Sequence, residues 1–407
     1  MSFSEKQKQI LTFPYSGYSS LICDGAVRAG KTCIMSLSFV LWAMGNFNSQ
    51  NFGICGKTVV SAERNIIRPL MGVRYLQQQF KIHFANHVLT ISRGNKSNQF
   101  YIFGGKDESS YQLIQGITLA GVLLDEVALM PESFVNQALA RCSVDGSKYW
   151  FNCNPEGPQH WFYQDWVLHP EKHNALHLHF LLDDNPSLSE EKKQEYYSSY
   201  TGVFYDRYIR GLWVVAEGRV YPMFTDSPDS FIRHGSLAGI DGQWFVSIDY
   251  GTLNPCSMGL WCVQDHKATR VKEWYHDGRK EGQWTDEEYY EALEKLTAGY
   301  YIRKVIVDPS AASFLECIRR HRKFSVWAAD NDVLDGIRVT SSLLHAGMLQ
   351  FHESCKDIIR EFGLYRWDEK QNSDTVIKEN DHAMDDMRYF CYTVLAREFR
   401  WADWKAR

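Results

Sequence analysis

The sequence predicts an α/β protein of two domains, the first built on a mostly parallel sheet and the second on a mixed sheet. Three features carry this. Up to about residue 182, short unbroken apolar runs alternate with helical stretches; beyond residue 240, three strand-like runs succeed one another across short turns; between them lies a segment dense in aromatic residues and punctuated by glycine. Unbroken apolar strands are covered on both faces, the condition of a parallel sheet flanked by helices, whereas closely spaced strands form an antiparallel meander.

In chain order, "SSLICDG", "NFGICGK", "LTISRG", "QFYIFGG", "GVLLDEV" and "KYWFNCN" supply strands of the first domain, residues 1–182, with an amphipathic helix after the first. Residues 183–235 read as an interdomain linker: a helix capped at Ser189, then Gly202, Gly211 and Gly218 as breaks. The second domain, residues 236–407, opens with "QWFVSIDYG", "PCSMGLWCVQD" and "TRVKEWYHDG", passes through the helix "TDEEYYEALEKLTAGY" to a fourth strand, "RKVIVDPS", and ends in further helix. The 407 residues, 44% hydrophobic, suffice for two cores. Ten cysteines stand singly without a C-x-x-C pair, so reduced thiols are expected and a structural zinc site is not. No run of about 18 apolar residues and no secretory signal is present, which sets the expectation of a cytosolic protein without a membrane partner. A net charge of -5 argues against a wholly basic nucleic-acid-binding surface but leaves room for one local basic channel.

The first chemical signature is "GAVRAGKT", which meets G-x-x-x-x-G-K-[ST] at Gly25, Gly30, Lys31 and Thr32 between a strand and a helix. In that setting loop amides and the helix N-terminus face phosphates, Lys31 reaches the β and γ phosphates of ATP, and Thr32 ligates Mg2+. Asp125 and Glu126 end the apolar strand "GVLLDEV", where the first acid would hold the metal and the second polarise the attacking water. Arg28, inside the loop, is a candidate for stabilising charge on the γ-phosphate, or equally a solvated arginine. In "FNCNP", Asn152 or Asn154 is placed to sense that phosphate, or the stretch is a simple Asn-Pro turn.

The second signature is dispersed. Asp249 ends one strand and Asp308 another, and either alone reads as a turn-capping aspartate. In "ENDHAMDDMRYF", His382 shares a helix face with Asp385 or Asp386. Acids on a first strand, a fourth strand and a C-terminal helix match the order of a ribonuclease-H-like fold, where carboxylates gather two divalent metals about 3.5–4 Å apart for phosphodiester cleavage. Hard Mg2+ or Mn2+ suits such oxygen ligands. Arg319, Arg320, Arg322 and Lys323 are either phosphate contacts or a solvated helix face.

Together these motifs make the chain resemble the large terminase subunit of tailed bacteriophages, nearly end to end. "DGAVRAGKT", "GITLAGVLLDEVALMPESF" and "FNCNPEGPQHWFY" are similar to that family's nucleotide motifs, "YTGVFYDRYIRGLWVVAEGRVYP" to its interdomain signature, and "SIDYG", "VDPSAASF" and "DHAMDDMRY" to its nuclease segments. The resemblance implies an N-terminal P-loop ATPase domain of the ASCE type and a C-terminal ribonuclease-H-like nuclease domain. It makes Arg28 a candidate arginine finger, Asp125 the metal-holding acid and Glu126 the catalytic base. Asp249, Asp308 and Asp385 become nuclease metal ligands with His382 beside them. Family members usually carry a small residue where this chain has Asp386, so Asp385, Asp386 and Asp381 all stay open as ligands, as do Gln7, Gln9 and Phe13 as the adenine contact. The implied function is ATP-driven packaging and cutting of double-stranded DNA, with the small terminase subunit and the portal protein as partners. The implied chain is a monomer in solution, a ring on the portal, and a resident of the host cytoplasm. The rival readings are a helicase-like repair ATPase fused to a nuclease, and an inactive prophage remnant.

Overall fold

A computed structural model describes residues 3–200, 202–369 and 374–396. The chain separates into two compact units, Met1–Tyr197 with Gly202–Val215, and Ser198–Thr201 with Ala216–Arg407. Residues 183–235, expected as an interdomain linker, are divided between the units, 183–197 and Gly202–Val215 falling in the first and Ser198–Thr201 and 216–235 in the second.

The first unit is built on β1 (Ser20–Gly25), β2 (Asn51–Gly56), β3 (Lys81–Ala85), β4 (Val88–Arg93), β5 (Lys96–Gly104), β6 (Gly121–Asp125), β7 (Lys148–Asn152) and β8 (Ala175–Phe180). Their order is β3-β4-β5-β2-β6-β7-β1-β8. From β5 to β8 all neighbours are parallel, while β3 and β4 add an antiparallel edge. Every residue of β1 and β6 is buried, as the unbroken apolar runs require. The helix Lys31–Asn46 lays Phe39 and Trp42 on the sheet, where the Trp150 ring lies 5.0 Å from Phe39, 4.9 Å from Trp42 and 5.0 Å from Phe13. The strand β8, "ALHLHF", was not foreseen because His177 and His179 interrupt its apolar pattern. Nor was β3, whose residues alternate between exposed and half-buried at the sheet edge.

The second unit holds β9 (Ile232–Arg233), β10 (Gln243–Asp249), β11 (Cys256–Gln264), β12 (Lys267–His276), β13 (Ile302–Val307), β14 (Val326–Ala328) and β15 (Leu349–His352), ordered β14-β13-β10-β11-β12-β15-β9. The meander β10-β11-β12 is antiparallel, and β13 and β14 join it in parallel on the other side of β10. A mixed sheet in the second unit, with an antiparallel meander flanked by parallel strands, is what the sequence leads one to expect. The short strands β15 and β9 extend it beyond β12. The helix His382–Phe390 is buried from Ala383 to its end and packs on β10 and β11. Among the described residues no helix is long and apolar enough to cross a membrane.

Replacing Trp150 by Ala should remove the ring that joins helix, sheet and N-terminal segment, costing about 3–5 kcal/mol and lowering the urea midpoint of the first unit.

Candidate functional site

In the first unit the parallel strands end at one level. The register sets Cys23 of β1 opposite Asn152 of β7, and Asn152 opposite Asp125 of β6. From that level β1 turns into residues 25–30, and the helix begins at Lys31 with Gly30 as its left-handed N-cap. Two glycines are obligatory. Gly25 has φ +113° and a Cβ there would lie 2.0 Å from the Phe180 carbonyl oxygen; Gly30 has φ +83°, with Gln7 Nε2 2.8 Å from its would-be Cβ. Arg28 and Glu126 also adopt positive φ, 58° and 59°, a local strain of about 1–3 kcal/mol that typically concentrates at functional sites.

Lys31 is almost fully buried, and its ammonium donates to the carbonyls of Gly25 (3.0 Å) and Ala26 (2.6 Å) and to Asn154 Oδ1 (3.2 Å). The Thr32 hydroxyl donates to Asp125 (3.1 Å), and Asn152 Nδ2 donates to Thr32 Oγ1 (2.8 Å) and to Asp125. Both asparagines of "FNCNP" therefore touch phosphate-loop residues. Burial pushes the Asp125 carboxyl up, against the opposing hydrogen bonds of Asn152 and Thr32 and the charge of Lys31; burial likewise lowers Lys31. Asn152 Oδ1 is buried and accepts no hydrogen bond, an acceptor available to a ligand. A helix N-terminus, a lysine, and a hydroxyl beside a carboxylate fit a nucleotide phosphate with a divalent cation. The Arg28 side chain is exposed, and its carbonyl accepts from Asn185 Nδ2 at 2.7 Å. Of the three adenine-contact candidates, Gln7 lies beside Gly30, Gln9 is exposed, and Phe13 is committed to the core.

The loop is also held from below. Val27 N–H donates to the Tyr208 carbonyl at 2.8 Å, and Trp213 Nε1 donates to Asp24 Oδ2 at 2.8 Å. Buried Asp24 also meets His177 Nε2 at 2.9 Å and His179 Nδ1 at 3.0 Å; burial raises its pKa, but the two histidines outweigh that and hold it well below the usual carboxylate range.

The second unit gathers a different set around a cleft of about 980 Å3. Asp249 at the end of β10, Asp308 just after β13, and Asp381, His382 and Asp385 at the start of the last described α-helix all line it. His382 Nδ1 lies 2.8 Å from Asp249 Oδ2, and the Tyr389 hydroxyl donates to Asp308 (2.6 Å) and Asp249 (3.4 Å). Lys378 Nζ sits 3.1 Å from Asp385 and 3.4 Å from Asp381, and Arg388 pairs with Asp385 at 3.0 Å. Burial pushes Asp249 up to about 6, opposed by its bond to His382 and reinforced by the charge of Asp385. Burial also acts on Asp308, but the hydrogen bonds of Tyr389 and Ser310 prevail and lower it. The lining carries eight acidic against four basic residues, so hard oxygen donors are in excess and the set fits Mg2+ or Mn2+.

Asp386, expected as an alternative ligand, belongs elsewhere. One residue on from Asp385 the helix turns about 100°, and Asp386 is wholly buried against Arg270 (Nη2–Oδ2 3.1 Å), Ser247 (2.8 Å) and Ser257. All its visible partners are structural. In the basic stretch after Asp308, Arg319, Arg320, Arg322 and Lys323 are all exposed, with Arg320 paired to Glu316 at 3.5 Å and Lys323 to Glu294 at 2.8 Å.

Several site residues escaped sequence reasoning. Tyr389 stands four residues after Asp385, on the same helix face, and that spacing was a readable signal. Arg279, Lys280 and Arg360 line the cleft from the short helix Gly278–Glu281 after β12 and from the helix Lys356–Leu364. Glu361, wholly buried on that same helix, caps the helix that carries the acids: its Oε2 accepts from Ala383 N–H (2.7 Å) and Met384 N–H (3.4 Å), and its Oε1 from Tyr275 (2.8 Å). No pattern in "REFGLYRW" announces this.

Two outcomes follow from the buried acids. Asp386→Ala takes from buried Arg270 the partner that meets both of its terminal nitrogens and leaves it Glu273 at 3.3 Å, and should cost about 3 kcal/mol, seen as a lowered denaturation midpoint in metal-free buffer. Burial lifts Glu361 from 4.5 to about 7, so the fold favours its protonated form. That contribution, about 3 kcal/mol, is complete below pH 4.5 and is lost as pH rises through about 7. Thermal melts across that window should therefore flatten in Glu361→Gln, which keeps a cap oxygen but cannot ionise.

Residues 22–225 match the family model described as terminase large subunit, T4likevirus-type, N-terminal. The chain is 49% identical to the large terminase of a thermophilic bacteriophage in one crystal form, with a TM-score of 0.92 over 97% of this chain and 100% of that one. The same phage protein in complex with ATP-γ-S is 48% identical, with a TM-score of 0.89 over the same shares. The large terminase subunit of Escherichia phage T5 is 21% identical over 289 residues, 67% of this chain and 65% of that relative. With a family model covering half of its length and a solved relative matched from end to end, the chain belongs to the terminase large subunit family.

Proposed function

We propose that the chain is the ATP-hydrolysing motor of phage DNA packaging and that its second unit is a metal-dependent endonuclease that cuts concatemeric DNA. The observation that carries this is the presence on one chain of two separately built acidic sites, one beside a phosphate loop and one in an open cleft. The ADP and ATP-γ-S complexes of the thermophilic phage protein support the nucleotide reading.

In the first unit Lys31 and the N-terminus of its helix bind the β and γ phosphates, and Thr32 with Asp125 would hold Mg2+. Glu126 orients and deprotonates the attacking water. Arg28, exposed on the loop, reaches toward charge developing on the γ-phosphate. Asn154 releases Lys31 when phosphate takes its place, and Asn152 follows Thr32 and Asp125, so the "FNCNP" strand end registers occupancy.

In the second unit Asp249, Asp308 and Asp385 would hold Mg2+ or Mn2+, with Asp381 and His382 beside them. Bound there, two such ions stabilise the attacking and leaving oxygens of phosphodiester hydrolysis. His382 and Tyr389 orient the carboxylates through their hydrogen bonds, and Arg279, Lys280 and Arg360 contact backbone phosphates of double-stranded DNA. The small terminase subunit and the portal protein are the partners, with several copies forming a ring at the portal in the host cytoplasm. Intact Lys31, Glu126, Asp249 and Asp308 weigh against an inactive remnant.

Paired variants of the purified chain test the reading. Lys31→Ala should lower ATP turnover roughly 10²–10³-fold while leaving Mn2+-dependent plasmid cleavage intact, and Asp249→Ala should do the reverse. Loss of both activities in either folded variant contradicts the two-site assignment, and cleavage unaffected by Asp249→Ala removes that residue from the site.

A further inference from the structure

In the second unit, away from the acidic cleft, the helices Asp286–Leu296 and Ala312–His321 bring together Glu287, Cys317 and His321. Each offers one donor atom, and the three donors lie within 4.8 Å of one another. Cys317 and His321 are four residues apart on one helix face, and Glu287 reaches them from the first turn of the other helix. His321 Nε2 is 2.7 Å from Glu287 Oε2. The His321 ring lies flat on Tyr290, centroids 3.7 Å apart and planes 7° from parallel, which fixes the imidazole with Nε2 turned to the cluster. Cys317 is buried, while Glu287 and His321 are exposed, so the cluster has a closed sulfur side and an open solvent side. None of the three lines the cleft of Asp249.

We infer that Glu287, Cys317 and His321 form a surface zinc site that ties these two helices together. A thiolate, an imidazole and a carboxylate are the mixed sulfur, nitrogen and oxygen set that suits Zn2+ and not the hard ions of the acidic cleft. Three protein ligands leave a fourth position to water. A thiol binds zinc as the thiolate, so binding releases the Cys317 proton and affinity should rise with pH. The inference does not depend on the nuclease assignment, because neither its residues nor its metal are those of the cleft.

The test uses the full chain stripped of metal. Titration with Co2+ as a spectroscopic stand-in should give a thiolate-to-cobalt charge-transfer band, absent in Cys317→Ser. Calorimetric titration with Zn2+ should show affinity at this site reduced more than about tenfold in His321→Ala and in Glu287→Gln, whose exposed positions spare the core. Zinc should raise the melting temperature of the wild-type chain and not of these variants. A wild-type chain without the thiolate band, a band that persists in Cys317→Ser, or zinc affinity unchanged in both exposed-site variants would overturn the assignment.

Discussion

A carboxylate buried at the end of a strand is tolerable only when another group answers its charge, and both units of this chain are organised by that requirement. In the first, β1, β6 and β7 end at the same level, so Asp125 meets Thr32 and Asn152 there, with Lys31 one turn of loop away. The parallel sheet supplies the alignment, and the helix that follows β1 supplies an electropositive end. The site is therefore a consequence of strand termini, and the glycines at 25 and 30 are what allow the loop to close over it.

In the second unit the same requirement is met twice on one helix, in opposite directions. Asp385 faces the cleft, flanked by Lys378 and Arg388, while Asp386 faces the sheet and is neutralised by Arg270 among two serines. The two neighbours thus divide labour: one anchors the helix on β10 and β11, the other is left to the site. Glu361 closes the start of the helix by accepting its first free amides, and Tyr389 reaches back from the next turn to Asp308. The acidic face of the helix is thus held from both ends, by Glu361 outside the cleft and by Tyr389 within it.

What was legible in the sequence was whatever is local. The phosphate loop and the acid pair are written in short windows with fixed spacing, Asp249, Asp308 and the acids of the last helix each sit in a short window that suggests a site only through their order along the chain, and the apolar runs that flank them announce the strands. The partners of Asp386 were not legible, because Arg270 stands 116 residues earlier and only the pleat of β12 turns it inward. The strand β8 was obscured by two histidines that serve Asp24, and β9 and β15 by their brevity. The cluster of Glu287, Cys317 and His321 shows the same limit: cysteine spacing argued against zinc, and it was helix packing that assembled three unlike donors.

The contacts beneath the phosphate loop act as a ruler. Between the Tyr208 carbonyl, tied to Val27, and the Trp213 indole, tied to Asp24, the chain has four residues, one of them Gly211 at φ +71°, where a Cβ would lie 3.1 Å from the Gly25 α-carbon. An insertion or deletion there would unseat one anchor or the other, so this stretch cannot drift in length as surface loops do. For anyone exchanging halves between relatives, the junction belongs after Val215, where the first unit ends; a cut at the earlier helix, where composition first changes, would strip the phosphate loop of its floor.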